Sequence, residues 1–164
     1  MKLTKKIIDN KEVYFENDVK KYVYYKGSIG YEYWKEYDSN NNEIYSKDSN
    51  GTEIWRKYDS KNNEIHYKNS SGYEYWKEYD SNYNQIHFKN ITGIETWREY
   101  DSNNNEIHYK DSEGYETWRK YDSNNNEIHF KDSNGNEYWS DDNPDNPKNK
   151  AETEVDIKPF TFNK

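Results

Sequence analysis

A 21-residue unit repeats through most of this 164-residue chain and constrains the fold more than any other feature. Six of the seven Gly, all six Trp and all four His fall on this lattice. A fixed period of this kind is typical of arrays in which one supersecondary unit stacks on the next. The units start at glycines 21 residues apart, and the sixth is truncated: Gly30, Gly51, Gly72, Gly93, Gly114 and Gly135.

Each unit holds two strand-like runs separated by two turn clusters. In the first unit the runs are YEYWKEY (31–37) and EIYSK (43–47), and the clusters are DSNNN and DSNG. Asn and Asp tolerate left-handed conformations and make Asx turns, while the periodic Gly suits a positive φ. The sequence therefore predicts an all-β fold: tandem 21-residue β-hairpins in a curled, antiparallel single-sheet array or β-solenoid.

The repeat also divides the chain into segments. Within residues 1–29 the run VYYKGSI (23–29) matches the second half of a unit, and the whole segment is interpreted as an N-terminal capping half-repeat. The tandem hairpins occupy 30–142. Residues 143–164 contain all three Pro and are expected to form a Pro/Asn-rich linker and an extended tail.

Composition restricts what a core can be made of. Leu, Ile, Val and Phe total only 22 of 164 residues, below the roughly 20% at which disorder is suspected. The 19 Tyr and 6 Trp compensate, because each ring buries about 150–250 Å². The predicted core is the repeated Trp and Ile positions: Trp34, Ile44, Trp55, Ile65, Trp76, Ile86, Trp97, Ile107, Trp118, Ile128 and Trp139.

Strand alternation predicts which residues share a face. Pairing Tyr37 with Glu43, and Ile44 with Trp55, puts Trp and Ile on one side of the sheet together with Tyr67 and its equivalents. The opposite, outer face then carries the candidate binding residues: Tyr33, Lys35, Tyr37, Arg56, Tyr58, His66, Tyr75, Tyr79, His87, Arg98, Tyr100, His108, Arg119, Tyr121 and His129.

The stretch YDSNNNEIHYKDSNG resembles the tyrosine–aspartate (YD) repeat of bacterial Rhs-type proteins. In that family a Tyr-Asp pair is followed about 14 residues later by Gly, as for Tyr37-Asp38 with Gly51 and Tyr100-Asp101 with Gly114. The resemblance covers residues 30–139 and implies a β-hairpin array without intrinsic catalysis. Asn41 stands where the family usually has a turn Gly.

The spacing from Trp34 to Tyr37 and Ile44 is also similar to the choline- or glucan-binding hairpin repeats of Gram-positive surface proteins. That similarity implies Trp and Tyr cages for a small ligand. The paired aromatics usual in those repeats are replaced here by Trp-Lys-Glu.

Neither a metal site, a cofactor nor an active site is predicted. The chain has no Cys, and equivalent His positions lie two strands, about 9.6 Å, apart, too far to share one zinc ion. Acidic side chains recur in every unit, so none is singled out as a catalytic group. We therefore expect a protein that is not an enzyme.

Charge and targeting signals restrict the partners. A net charge of −8 disfavours direct nucleic-acid binding. No apolar run suits a signal peptide or a membrane span, so a cytoplasmic protein is expected.

The leading functional hypothesis is a protein–protein interaction module, with a phage- or mobile-element-encoded protein that binds a host factor as one form of it. Alternatives left open are a carbohydrate or choline (cell-wall) binding module, an acidic DNA mimic, and a structural assembly element. Homo-oligomerisation also stays open.

Overall fold

A computed structural model describes residues 3–151. This part of the chain forms fourteen strands and one short helix. The elements are β1 (Thr4–Ile8), β2 (Lys11–Glu16), β3 (Val19–Lys26), β4 (Glu32–Tyr37), β5 (Glu43–Asp48), β6 (Glu53–Tyr58), β7 (Glu64–Asn69), β8 (Glu74–Tyr79), β9 (Gln85–Asn90), β10 (Glu95–Tyr100), β11 (Glu106–Asp111), β12 (Glu116–Tyr121), β13 (Glu127–Asp132), β14 (Glu137–Trp139) and α1 (Pro147–Ala151).

The strands form one sheet in which each strand pairs with its neighbours in the sequence, in the order β1 to β14. Every described pairing is antiparallel. The predicted fold, an antiparallel single-sheet array of tandem hairpins, is confirmed. The chain divides within β10 into two compact units, Met1–Trp97 and Arg98–Lys164.

Both turns of a repeat use the same chemistry. Asp38 Oδ1 accepts hydrogen bonds of 2.9 Å from the backbone N–H groups of Asn40 and Asn42, and Asn41 takes a φ of 67°. In the second turn Asp48 Oδ1 accepts the corresponding bonds, and Gly51 takes a φ of 85°. Asn or Gly is placed where the left-handed backbone requires it, which is why the turns could be located from the sequence.

A β-bulge sits beside the first turn. Tyr37 lies opposite Glu43, as predicted, but the next pair is Glu36 with Tyr45, so Ile44 is an extra residue with no cross-strand partner. The same register shift occurs before Tyr58, Tyr79 and Tyr121. A bulge shifts all later pairs by one residue, and a one-residue slip moves side chains to the other face.

The predicted pairing of Ile44 with Trp55 is therefore wrong. Trp55 lies opposite Tyr45, because the last pair before the second turn is Asp48 with Thr52, joined by an N–H···O bond of 3.0 Å. Tyr67, which was expected on the Trp face, lies opposite Arg56 on the other face.

The N-terminal segment, predicted to be a capping half-repeat, supplies three strands to the sheet. Its hairpins turn on Asp9–Asn10 and Asn17–Asp18, where both residues of each pair have positive φ, as two-residue hairpin turns require. Val13 and Val23 are cross-strand partners with exposed fractions of 6% and 7%. They are the only buried apolar side chains in the part of the chain that the structure describes.

The prediction of a Trp/Ile core is wrong. Trp34, Trp55, Trp76, Trp97 and Trp118 are 37–40% exposed. Trp139 and the repeated Ile residues are half-buried: Ile44, Ile65, Ile86, Ile107 and Ile128. The reason is that residues 3–151 form a single-layer sheet, with no second layer of described strands over the rings.

The segment after β14 was expected to begin a linker, but its first residues fold against the last hairpin. Asn143 Nδ2 donates to the Ile128 carbonyl at 3.0 Å, and Asn146 Nδ2 donates to the Ser140 carbonyl at 3.1 Å. Both amides are nearly fully buried. Residues 143–146 therefore cover one end of β13, while the predicted extended tail, 152–164, lies outside the described residues.

Within residues 3–151, no helix is both long and apolar enough to span a lipid bilayer.

Candidate interaction surface

The alternation of side chains gives the sheet two different faces. One carries the six Trp side chains and is called the tryptophan face. The other carries the repeated Tyr and Arg residues, such as Tyr58 and Arg56, and is called the tyrosine–arginine face. The two faces differ in exposure, because Trp76 is exposed whereas Tyr75, its neighbour on the other face, is half-buried.

On the tryptophan face every Trp lies against one aromatic ring of the preceding strand. The partner is Tyr in the first two pairs and His in the other four, because these positions lie directly opposite each other. Centroid distances are 5.4 Å for Tyr24–Trp34, 5.6 Å for Tyr45–Trp55, 5.3 Å for His66–Trp76, 5.5 Å for His87–Trp97, 5.5 Å for His108–Trp118 and 3.8 Å for His129–Trp139.

Three of the four His–Trp pairs are held by a hydrogen bond from the His to the Glu two residues before the Trp, whereas His108 Nε2 lies 3.7 Å from Glu116 and makes no hydrogen bond with the described residues. His66 Nε2 lies 2.8 Å from Glu74 Oε1, and the equivalent distance from His129 to Glu137 is 2.9 Å. These hydrogen bonds are the main reason why the pKa values of Glu74 and Glu137 lie below the ordinary range. In these three pairs the carboxylate orients the imidazole against the indole.

The same Glu residues also pair with Lys on the preceding strand. Lys47 Nζ lies 2.6 Å from Glu53, and Lys110 Nζ lies 2.7 Å from Glu116. The tryptophan face therefore repeats one motif, an aromatic pair beside a Lys–Glu pair, in successive hairpins. The sequence signal is present in every full unit as Glu-x-Trp in one strand and, in most, His-x-Lys in the other.

Two depressions on this face lie between neighbouring repeats of the compact unit Met1–Trp97. One, of about 800 Å³, is lined by Tyr45, Trp55 and His66 together with Glu36 and Glu74. The other, of about 520 Å³, is lined by Tyr24 and Trp34 and by residues of the cap. Both volumes fall within the range of small-ligand sites, about 300–1,000 Å³.

The tyrosine–arginine face carries a ladder of alternating charges that runs across the strands. In the compact unit Arg98–Lys164, Arg119 bridges two carboxylates, with Nη1 2.6 Å from Glu106 and Nε 3.4 Å from Glu127. Arg98 Nε lies 3.3 Å from Glu106. The compact unit Met1–Trp97 has the same arrangement. Glu43 lies 2.6 Å from Lys35 Nζ and 2.7 Å from Arg56 Nη1, and Arg56 Nε lies 3.2 Å from Glu64.

Tyr side chains of this face join neighbouring repeats. Tyr58, Tyr79 and Tyr121, each the Tyr of a Tyr-Asp pair, donate from the hydroxyl to a Glu carbonyl 15 residues earlier at 3.2–3.3 Å. Tyr75 donates to Glu64, and burial together with this bond raises its pKa. The Tyr and Arg groups are therefore engaged within the sheet.

The structure separates the predicted binding residues into two sets. Tyr33, Lys35, Tyr37, Arg56 and the later Tyr and Arg residues share the tyrosine–arginine face, where ion pairs and hydrogen bonds occupy most of them. The four His residues lie on the tryptophan face, so their assignment to the same face as Tyr and Arg is wrong: His66, His87, His108 and His129. The bulge explains the error, because it adds one residue between Tyr58 and His66.

The described residues contain no group of three or more His, Asp or Glu side chains that could hold a metal ion. His87 illustrates why: its Nδ1 lies 3.3 Å from Glu78 and its Nε2 lies 2.9 Å from Glu95, on opposite sides of the ring. The two carboxylates therefore cannot converge on one ion with this imidazole.

The chain is similar to a chain of known structure, "Crystal Structure of TcdB2-TccC3-Cdc42", with a TM-score of 0.50 and 14% identity. The match covers 78% of this chain and 8% of that one, so the chain spans a small fraction of the length of its structural relative. This likeness supports a YD-repeat-like β fold. No family model and no curated protein matches the sequence.

Proposed function

We propose that this chain is a non-catalytic β-repeat module that binds a protein partner through the tryptophan face. The observation that carries the proposal is the exposure of five Trp side chains, 37–40% each, on one face of a regular array. Trp is among the residues most enriched at the energetic centres of protein interfaces. Monomeric proteins seldom leave so many large rings in contact with water.

The fixed geometry of these rings also favours binding. His66 and His129 are oriented by hydrogen bonds that they donate to Glu74 and Glu137, so little side-chain freedom is lost when a partner covers the indoles. The Lys–Glu pairs beside them supply a polar rim of the kind that surrounds interface hot spots.

The test compares capture of proteins by three immobilised forms of the chain. One is the natural chain, one carries Trp76→Thr and Trp97→Thr, and the control carries Tyr79→Phe, which alters the opposite face of β8. The partner should be retained by the natural chain and the control and lost from the double Trp variant. Calorimetry with the purified partner should then show at least about tenfold weaker binding to that variant.

Equal retention by all three forms would reject the tryptophan face as the binding surface. A glycan or choline module is the second candidate, favoured by the depressions beside Trp34 and Trp55. Titration with choline or a cell-wall polysaccharide, followed by Trp fluorescence, separates the two: a saturable response without a protein partner supports the second candidate. Concentration-dependent light scattering would instead indicate an assembly element.

A further inference from the structure

The depression of about 520 Å³ in the N-terminal cap brings four aromatic rings together with two carboxylates. On the tryptophan face no other described hairpin offers this combination, because there each later repeat supplies only one cross-strand aromatic pair. The side chains that define it are Tyr14, Tyr22, Tyr24, Trp34, Glu12 and Glu36.

The extra rings result from a bulge at a different position. In the cap Tyr14 lies opposite Tyr22 and the next pair is Phe15 with Lys20, so Lys21 is the extra residue. Tyr22 therefore stays on the tryptophan face, opposite Glu36. The residue 21 positions later is Glu43, which lies on the other face, in the charge ladder.

The local charge is negative. Lys5 Nζ lies 2.5 Å from Glu12 Oε1 and balances that carboxylate. Lys35 also lines the depression, but its Nζ lies 2.6 Å from Glu43 on the opposite face. Glu36 makes no ion pair with the described residues, so one carboxylate beside four rings is uncompensated.

We propose that this depression binds one organic cation through an ammonium or guanidinium group. Aromatic faces attract such cations electrostatically, and Glu36 supplies the opposite charge at the edge of the rings. Two sources share this chemistry: a Lys or Arg side chain of the protein partner, which rests on the proposed function, and a free alkylammonium ion, which rests on the second candidate function.

The test uses the Trp34 indole N–H signal in two-dimensional NMR of the full chain, assigned by its loss in Trp34→Phe. N-acetyl-arginine amide represents the basic side chain and tetramethylammonium chloride the free ion. Their uncharged counterparts, N-acetyl-citrulline amide and tert-butanol, are the ligand controls. A saturable shift of the Trp34 signal is expected with at least one cation and with neither neutral compound.

Glu36→Gln should weaken cation binding about three- to tenfold. Its matched control is Glu99→Gln, which changes the equivalent position three repeats later, where no Tyr14 or Tyr22 counterpart lines the face. Equal shifts from cations and neutral compounds, equal effects on all six Trp signals, or unchanged affinity in Glu36→Gln would overturn the proposal. Because no partner is present, cation binding can succeed or fail independently of partner capture.

Discussion

The imidazole of His108 lies against the indole of Trp118, with ring centroids 5.5 Å apart and 14° between the ring planes. The contact joins two adjacent strands of a single-layer sheet, and Trp118 still keeps 39% of its surface in water. The pair therefore contributes a cross-strand contact and leaves part of the Trp118 side chain available to a partner.

Trp118→Leu should cost only about 1 kcal/mol of unfolding free energy, because leucine covers His108 and only the aromatic pairing is lost. Val23→Ala, although a smaller change, should cost about 2 kcal/mol, since Val23 is 7% exposed and packs on Val13. Urea unfolding measures both values. A larger loss for Trp118→Leu than for Val23→Ala would mean that the Trp residues form the core after all.

Tyr83→Gly should stabilise the chain by about 1 kcal/mol. Tyr83 has a φ of 69°, in the left-handed region where a bulky side chain is strained and where the other repeats have Asn. Its ring also lies 5.0 Å from Lys61 Nζ, a contact that the substitution removes and that offsets part of the gain. Asn104→Gly is the control, since Asn tolerates this conformation and the gain should be smaller. The melting temperatures of both variants and of the natural chain test this prediction. A lower melting temperature for Tyr83→Gly than for the natural chain would contradict the strain argument.

Arg119→Leu should cost about 1 kcal/mol, because two carboxylates, Glu106 and Glu127, lose their common partner. Lys120→Leu changes the adjacent, exposed residue on the other face and should stay within about 0.5 kcal/mol. The difference between the two variants should shrink in 1 M salt, where the Debye length is about 3 Å. A difference that persists at high salt would point to packing on Phe130 as the cause.

The hairpin turns should make the chain sensitive to acid. Hydrogen bonds from the Asn105 side chain and backbone lower the pKa of Asp101, and Asn126 does the same for Asp122. A carboxyl whose folded pKa is depressed stabilises the fold above its unfolded pKa, and this contribution is lost as the pH falls through the folded pKa. Stability should therefore decline below about pH 4.

Replacing Asp101 and Asp122 together by Asn should lower stability at pH 7 and flatten its decline in acid. Circular dichroism during urea unfolding at several pH values checks both effects. The prediction fails if the variant and the natural chain lose stability in parallel as the pH falls.

The sequence alone determined the positions of the strands and turns. Each turn of the repeats starts with Asp or Asn and, except at Tyr83, has Asn or Gly at its fourth position. These residues suit only a few backbone conformations, so Asp38, Asn41 and Gly51 fix the turns locally. The pairing of Tyr37 with Glu43 follows from the turn length and was predicted correctly. Because adjacent strands joined by short turns pair with each other, the single antiparallel sheet followed as well.

Only the tertiary structure decided which residues share a face. Ile44 is an ordinary strand residue by type, and nothing local distinguishes it from a paired one. As a bulge it reverses the side on which Tyr45 lies, as the equivalent Ile65 does for Tyr67. The sequence also identified the Trp and His lattice but assigned Trp to the interior, because no local pattern shows that the described strands form a single layer. Because strand side chains alternate with a period of two, one unpaired residue per hairpin is enough to exchange the two faces.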